Sequence, residues 1–370
     1  MVWKIPEGGL TENIEAPVVT LAGHGRKVGH VLFNPVADNI LLTTSADFLV
    51  KVWDISTGQE THELTGHGEI INSVAWNWNG NLLVTACKDK MLRLYDVRAK
   101  KAVQEVNGHQ GVKGSRCVWM GNSDKIATTG FSKTSDRQVF VWDSLNLSSP
   151  LKQEQIDTAS GMLIPYYDGD TSMLYLAGKG DGNIRYYEWS DDDKGLYFLS
   201  EYKSTEPQRG IGFLPKRAVN VGEVEIARAF KVHPGLVEPI SFKVPRRSDA
   251  FQNDLYPDTV GSDPAMTSEE WIGGKECNGP ELISLETGFV PPLRRDFTTS
   301  ATPSQRSSAI VSSSYPGSRT PSILSAPGNE KEYQDAYHSL RKENDDLKSI
   351  LVQRDIKIRQ LESQLEALKK

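Results

Sequence analysis

The chain has 370 residues, a formal net charge of −6 and three cysteines, Cys87, Cys117 and Cys277. The negative charge argues against a general nucleic-acid-binding protein, which would carry a basic face. The scattered cysteines form no disulfide framework or CxxC pair, and no apolar run reaches the roughly 18 residues that cross a membrane. We therefore expect a cytoplasmic protein without a membrane span and without a nucleic-acid partner.

One phrase recurs four times between Val18 and Glu188. In each copy an aromatic residue follows the aspartate of a predicted turn by six positions, and the aromatics lie 42 to 47 residues apart. The first three copies also contain an earlier Gly-His pair. This period and signature are typical of a four-stranded propeller blade, so the sequence predicts an all-β fold, a WD-repeat β-propeller. The residues of the four copies are His24, Ser45, Asp47 and Trp53, then His67, Asp89 and Tyr95, then His109, Asp136 and Trp142, and finally Asp181 and Tyr187.

Two interpretations of His24, Ser45 and Asp47 differ in chemistry. They could form a hydrolase triad, or the loop histidine, strand serine and turn aspartate could hydrogen-bond one another and the tryptophan, which satisfies buried polar groups. A catalytic triad occurs once, whereas this set recurs, so the structural role is favoured. The sequence has no phosphate-binding glycine loop, HExxH motif or Cys/His cluster, and we expect no enzyme activity, metal or cofactor.

The predicted blades follow in chain order. Val2-Trp3-Lys4 matches the end of a repeat, so the chain is expected to begin partway through a blade. Strand periodicity continues after the fourth copy, which gives a fifth, divergent blade within a propeller domain of residues 1–245. The first four blades are predicted at residues 18–62, 63–104, 105–150 and 151–200, and the strands of the fifth at 226–232 and 239–244.

Residues 246–292 are predicted to form an extension packed on the propeller. Pro, Gly and Asp are frequent there, and Ser268 begins a sequence typical of a capped helical turn. We expect Trp271, Leu282 and Phe289 to be the apolar anchors of this extension.

The C-terminal segments have two different compositions. Residues 293–329 have few large apolar side chains and are predicted to be a disordered linker. Residues 330–370 carry five heptads typical of a coiled coil, with Asn344 at a position that would fix the register. The alternative, a lone amphipathic helix packed on the propeller, is disfavoured by the linker and the narrow apolar seam. The predicted oligomer interface consists of Leu340, Asn344, Leu347, Leu351, Lys357, Ile358, Leu361, Glu362, Leu365 and Leu368.

The sequence resembles the coronins, an actin-associated WD-repeat family, from Val2 to about Pro292, with a linker and coiled coil in the family's order. The phrases that carry the resemblance are not general features of WD repeats. The most specific is Phe251-Gln252-Asn253-Asp254-Leu255-Tyr256-Pro257, which leads to Asp263-Pro264-Ala265 and Glu269-Glu270-Trp271-Ile272-Gly273-Gly274.

The resemblance implies a seven-bladed propeller that binds filamentous actin, with an extension on its underside. It also implies a coiled coil that oligomerises, often as a parallel trimer, and helps engage the branched-actin nucleating complex at actin patches or the cell cortex. Lys357 stands where the trimeric coils have arginine, which leaves a dimer open because lysine lacks the planar guanidinium fork.

The chain departs from the family at its N-terminus, where about two blades are absent. The first blade carries the family's best-attested actin-binding surface, so no residue here inherits that role, and we expect a longer native product or a truncated isoform. The leading hypothesis is a non-enzymatic actin-filament scaffold that regulates actin organisation and branched nucleation. The alternative is a WD-repeat scaffold for regulatory or trafficking partners that has lost direct actin binding, and an enzyme built on a propeller is a third.

Overall fold

The computed structural model describes residues 1–6, 8–246 and 250–289. Four antiparallel four-stranded sheets follow one another along the chain, and a three-stranded sheet comes next. This confirms the predicted WD-repeat propeller with about five blades. The first sheet contains β1 (Val28–Phe33), β2 (Ile40–Ser45), β3 (Val50–Asp54) and β4 (Gln59–Leu64); the second contains β5 (Ile71–Trp76), β6 (Leu82–Cys87), β7 (Met91–Asp96) and β8 (Lys101–Asn107).

The third and fourth sheets repeat this order, and the fifth has three strands within the described residues. The third contains β9 (Arg116–Trp119), β10 (Lys125–Phe131), β11 (Arg137–Asp143) and β12 (Lys152–Asp157). The fourth contains β13 (Leu163–Asp168), β14 (Met173–Gly178), β15 (Ile184–Ser190) and β16 (Gly195–Tyr202). The fifth contains β17 (Gly210–Phe213), β18 (Glu225–His233) and β19 (Leu236–Lys243).

The second, third and fourth sheets each lie between two neighbouring sheets, which explains the apolar runs in their central strands. All six residues of β2 and of β14 are buried, whereas β8 alternates between exposed and half-buried positions. A strand covered on both faces needs apolar residues on both, and an edge strand needs them on one. Short apolar runs flanked by alternating strands are therefore what this arrangement requires.

Apolar cores lie between successive sheets. Leu42 and Val52 of the first sheet belong to one cluster with Leu83 of the second, and similar clusters join the second to the third, the third to the fourth and the fourth to the fifth. In the described ranges no such cluster joins the fifth sheet to the first. Consistent with this, Val31 and Phe33 on β1 are each 59% exposed.

A segment that we call the strap, residues 250–289, crosses one end of the sheets. It contains β20 (Thr259–Val260), the helix α1 (Ser268–Ile272) and β21 (Leu282–Ile283). Thr267 and Glu270 form a capping box that starts α1, which confirms the predicted capped turn. Tyr256 donates a hydrogen bond to the carbonyl of Glu225 on β18, so the strap begins against the fifth sheet.

The strap returns to the first two sheets, where Trp271 is fully buried. Its indole N–H donates to the carbonyl of Gly80 at 3.1 Å, and its ring makes an edge contact with Trp76. Arg98 lies 5.2 Å over the same ring and pairs with a glutamate of the strap. The prediction of Leu282 as a second anchor is wrong, because this side chain is 49% exposed and sits in a two-stranded ladder at the surface.

The N-terminal segment has little regular structure. Val2 and Val19 form an isolated antiparallel bridge, in which the N–H of Val2 donates to the carbonyl of Val19 and the N–H of Val18 donates to the carbonyl of Val2, each at 2.8 Å. None of the helices in the described part of the chain is long and apolar enough to cross a membrane. The predicted linker and coiled coil, residues 293–370, lie outside the described residues.

Candidate functional site

The loop that precedes β1 is held to the first sheet by one hydrogen-bonded network. The His24 ring pairs through Nδ1 with Asp47 at 2.9 Å and through Nε2 with the Thr43 hydroxyl at 2.8 Å. The Trp53 indole N–H donates to the same hydroxyl at 2.8 Å. Burial alone would raise the pKa of Asp47, but hydrogen bonds from His24 and from the backbone N–H of Leu49 and Gly25 lower it. These hydrogen bonds thereby hold the loop of His24 and the turn of Asp47 against the first sheet.

The second and third sheets keep the histidine and the threonine of this network. His67 pairs with Thr85, and His109 with Thr128, each at 3.0 Å. Burial lowers the pKa of both imidazoles to about 4, so both are neutral at pH 7. In the second sheet Tyr95 replaces the tryptophan, and its hydroxyl donates to a loop carbonyl rather than to the threonine.

The strand hydroxyl of the network is a threonine, and the prediction of Ser45 in this role was wrong. Ser45 donates to the carbonyl of Arg26 and accepts from the backbone N–H of Asp47, so it does not contact His24. These hydrogen bonds also leave no hydrolase triad among His24, Ser45 and Asp47. The recurrence of threonine at 43, 85 and 128 is the sequence signal that could have identified it.

Asp136 does not contact His109, which corrects the alignment of the third copy. The left-handed residue of the turn lies five positions before the aromatic in the first sheet (Phe48 to Trp53) but seven before it in the third (Ser135 to Trp142). Strands β10 and β11 have seven residues each, against six and five in β2 and β3 of the first sheet, and Thr134 occupies the place of Asp47. Asp136 therefore lies beyond the turn, where it accepts a hydrogen bond from Ser132 at 2.8 Å.

The fourth copy has no histidine, and its Asp181 belongs instead to an ion-pair network between the third and fourth sheets. Arg137, only 1% exposed, pairs with Asp181 at 2.7 Å and with both oxygens of Asp157. Burial alone would raise the pKa of Asp157, but Arg137 and Arg185 lower it. Tyr187 makes an edge contact with the Phe198 ring and does not share in this network.

Exposed cations collect at the end of the sheets opposite the strap, which we call the hairpin end because it carries the turns between second and third strands. The acids Asp47, Asp89 and Asp181 at this end are already bonded to a histidine or an arginine. Glu69 and Glu201 pair there with Lys88 and Lys203, and Asp136 and Glu206 also lie at this end. The exposed lysines and arginines still outnumber these acids, although the whole chain carries −6. They are Arg26, Lys27, Lys88, Lys90, Lys113, Lys133, Lys179, Lys203 and Arg209.

Arg116 adds a further positive charge between the inner strands at the hairpin end. Its guanidinium contacts the His30 ring at 3.2 Å, the carbonyl of Asn72 and the sulfur of Met162 at 3.2 Å. No carboxylate of the described chain pairs with it, and burial lowers its pKa. The centre of this end therefore carries a cation without an acidic partner.

A cavity of about 470 Å³ lies at the opposite end, between the ends of the inner strands and the strap. Aromatic rings from the first four sheets line it, together with Asp168, Asp170 and Lys216. Lys216 is buried and pairs with Asp168. The interior of the cavity is thus mostly apolar with a few charged groups, which is the usual composition of a ligand pocket.

Comparison with known proteins places these features in a family. Models of the WD domain G-beta repeat match residues 15–54 and 58–96, and a model of a further type of WD40 repeat matches residues 237–278. Coronin-A of Dictyostelium discoideum is 47% identical over 360 residues, which cover 97% of this chain and 76% of that protein. The chain belongs to the coronin family.

Other coronins match over a smaller part of their length. The coronin-like protein of Saccharomyces cerevisiae is 47% identical over 298 residues, and human coronin-2A is 40% identical over 294. These matches cover 77% and 78% of this chain, but the chain spans only 45% and 56% of those two relatives. The crystal structure of the WD40 domain from Toxoplasma gondii coronin has a TM-score of 0.73 at 35% identity, over 76% of this chain and 73% of that one.

Sequence reasoning did not find the surfaces of this coronin that could act on a partner. The hairpin end and the cavity both combine residues from several sheets, and no local motif marks either. The described residues contain no group of three or more His, Cys, Asp or Glu placed to hold a metal ion. The predicted oligomer interface, from Leu340 to Leu368, lies outside the described residues.

Proposed function

We propose that this protein is a non-enzymatic scaffold that binds actin filaments and organises them. Membership of the coronin family carries the proposal, since the phrases between Phe251 and Gly274 link the chain to an actin-associated family rather than to WD repeats in general. The propeller supports it physically. Networks such as that of His24 and Thr43 hold the loops of the hairpin end in place, so this end can present a rigid surface to a large partner.

The hairpin end is the surface that we propose meets the filament. It concentrates exposed lysines and arginines in a chain of net charge −6, and Arg116 at its centre has no carboxylate partner in the part of the chain that the structure describes. A basic surface of this kind steers an acidic partner and selects its orientation. The proposal places the contact on the sheets that are present, independently of any surface on a preceding blade.

Charge reversal at the hairpin end tests this contact by co-sedimentation with actin filaments. Lys27 and Lys179 are exposed, and their side chains have no polar partner within the described residues. Lys27→Glu with Lys179→Glu should weaken binding at least roughly tenfold, which corresponds to about 1.4 kcal/mol. The matched control is Lys101→Glu with Lys194→Glu, which places the same change on exposed lysines at the strap end.

Equal loss of binding in both double variants would show a nonspecific charge effect and would contradict the proposal that the hairpin end binds the filament. A folded parent chain that stays in the supernatant at micromolar filament concentration would instead reject actin binding itself. That second result would favour a scaffold for regulatory or trafficking partners.

The proposal also assigns a role to residues 330–370. We propose that they form a parallel trimer, which multiplies weak filament contacts and helps the protein act on the branched-actin nucleating complex at actin patches or the cell cortex. Linked sites raise apparent affinity by roughly 10²–10⁴ when the geometry allows simultaneous binding. Leu351→Pro should therefore give a monomer with much weaker filament binding, whereas Leu351→Ile preserves the seam.

Two measurements separate the parts of this role. Sedimentation equilibrium gives the mass, and a dimer would exclude the trimer while leaving avidity intact. Pyrene-actin assembly with the purified nucleating complex reports regulation, which should be present in the parent chain and lost in Leu351→Pro. An identical assembly rate with and without the parent chain would rule out an action on nucleation.

A further inference from the structure

The cavity at the strap end is built by several separate parts of the chain. Inner strands contribute Phe33, Trp76 and Trp119 at their ends, and the strap contributes Thr259 and Val260. Its volume of about 470 Å³ falls in the range of pockets that hold small ligands or a peptide side chain. None of the networks at the hairpin end uses these residues.

The aromatic lining is suited to a cation. Trp78 and Tyr167 add two further rings to those of Phe33, Trp76 and Trp119. The faces of such rings attract ammonium and guanidinium groups, more strongly when the cation loses its water. An apolar ligand would also fit the rings, so the choice between the two depends on the charged groups of the cavity.

Asp170 is the carboxylate that selects a cation. Burial, more than any other influence, raises its pKa, and neighbouring Asp168 raises it further, while the hydroxyl of Thr259 and the charge of Lys216 lower it. The ammonium of Lys216 is engaged by Asp168 and by the carbonyl of Ile226 at 2.8 Å. Asp170 therefore forms no ion pair of its own among the described residues, and a positive ligand group would supply one.

We propose that this cavity binds the basic side chain of a protein partner, with its cation beside Asp170 and among the aromatic rings. The site is a recognition site for arginine or lysine and is distinct from the hairpin end. Arg217 also lines the cavity but is exposed, so its charge is largely screened by solvent. The interaction does not depend on actin binding.

The test uses the full chain and two blocked tripeptides, acetyl-Gly-Arg-Gly-amide and acetyl-Gly-Glu-Gly-amide. Tryptophan fluorescence reports binding because Trp76, Trp78 and Trp119 line the cavity, and calorimetry gives the affinity. We expect the arginine peptide to bind with a Kd of about 1 mM or tighter, and the glutamate peptide to show no binding at 10 mM.

Two variants assign the binding to the cavity. Asp170→Asn removes the charge while keeping the shape and should weaken binding at least tenfold, whereas Asp192→Asn, on an exposed turn outside the cavity, should leave it unchanged. If Asp170→Asn fails to fold, Phe33→Ala replaces it, because Phe33 is 59% exposed and its loss removes one ring of the cage. No binding by the arginine peptide, equal binding by both peptides, or full binding by the folded cavity variant would each overturn the proposal.

Discussion

Two of the buried histidines, His67 and His109 of the loop networks, make the propeller sensitive to mild acid. The pKa of His67 and that of His109 are each lowered by burial to about 4 from 6.5. The unfolded chain therefore takes up protons at these positions near pH 6.5, whereas the folded chain does so only near pH 4. The stability that the neutral imidazoles contribute is fully present above pH 6.5 and is lost as the pH falls toward 4.

The size of the effect follows from the two pKa values. One pKa unit corresponds to 1.36 kcal/mol. When the pH falls from 7 to 5, each histidine should lower the free energy of unfolding by about 2 kcal/mol. The two together cost about 4 kcal/mol, a large part of the usual 5–15 kcal/mol of a folded domain. Carboxylates such as Asp47, whose pKa is lowered, lose their contribution chiefly below the ordinary aspartate value, so they change little in this interval.

Urea unfolding of the chain at pH 7 and pH 5 measures this loss. A double variant, His67→Gln with His109→Gln, keeps a polar group near each threonine but cannot titrate. It should be less stable at pH 7, and its loss between the two pH values should be smaller than the parent's by about 4 kcal/mol. His233→Gln, outside the networks, should keep the parent's pH dependence. A double variant that loses as much stability as the parent would refute the reasoning.

Three further substitutions test the contacts that hold the sheets together. Trp271→Ala should cost about 3–5 kcal/mol in urea unfolding because it empties a fully buried site, and Leu282→Ala at the exposed ladder should cost little; equal costs would contradict the anchor role. Arg137→Met leaves Asp157 without its main partner and should also cost about 3–5 kcal/mol, and a neutral result would deny the network its structural role. Gly80→Ala should lower the melting temperature, since its φ is +68° and a Cβ would lie 2.5 Å from Asn34; an unchanged melting temperature would disprove this strain.

The propeller could be predicted because its signals are local and repeated. Aromatics at a period of 42 to 47 residues identified four blades, and alternating strands identified most of the fifth. Strand β17, Gly210–Phe213, carries two glycines in four residues and gave no strand signal. It becomes a strand because β18 offers it hydrogen bonds, which is a tertiary effect that propensity does not contain.

The details of the networks were harder to predict because spacing does not reveal where a hairpin turns. Asp136 has the same distance to its aromatic as Asp47, yet the longer hairpin of the third sheet places it beyond the turn. The role of Thr43 was not predicted because this residue lies inside an apolar run, where a threonine is an ordinary strand residue. The path of the strap depends on the site between the first and second sheets in which Trp271 is buried. Residues distant in sequence form that site, so no local pattern around Trp271 predicts it.

The strap connects the proposed cavity to the assembly of the sheets. Thr259 and Val260 line the cavity, while Trp271 of the same strap is buried against the first and second sheets. A ligand that contacts the strap binds the docked form more tightly than an undocked form, so it stabilises the docked form by up to RT ln(1 + [L]/Kd). At a hundred times Kd this is about 2.7 kcal/mol, comparable to the loss that Trp271→Ala should cause. A basic partner bound in the cavity would therefore stabilise the sheets at their strap end. The opposite end of the same sheets, the hairpin end, is the surface that we propose binds the filament.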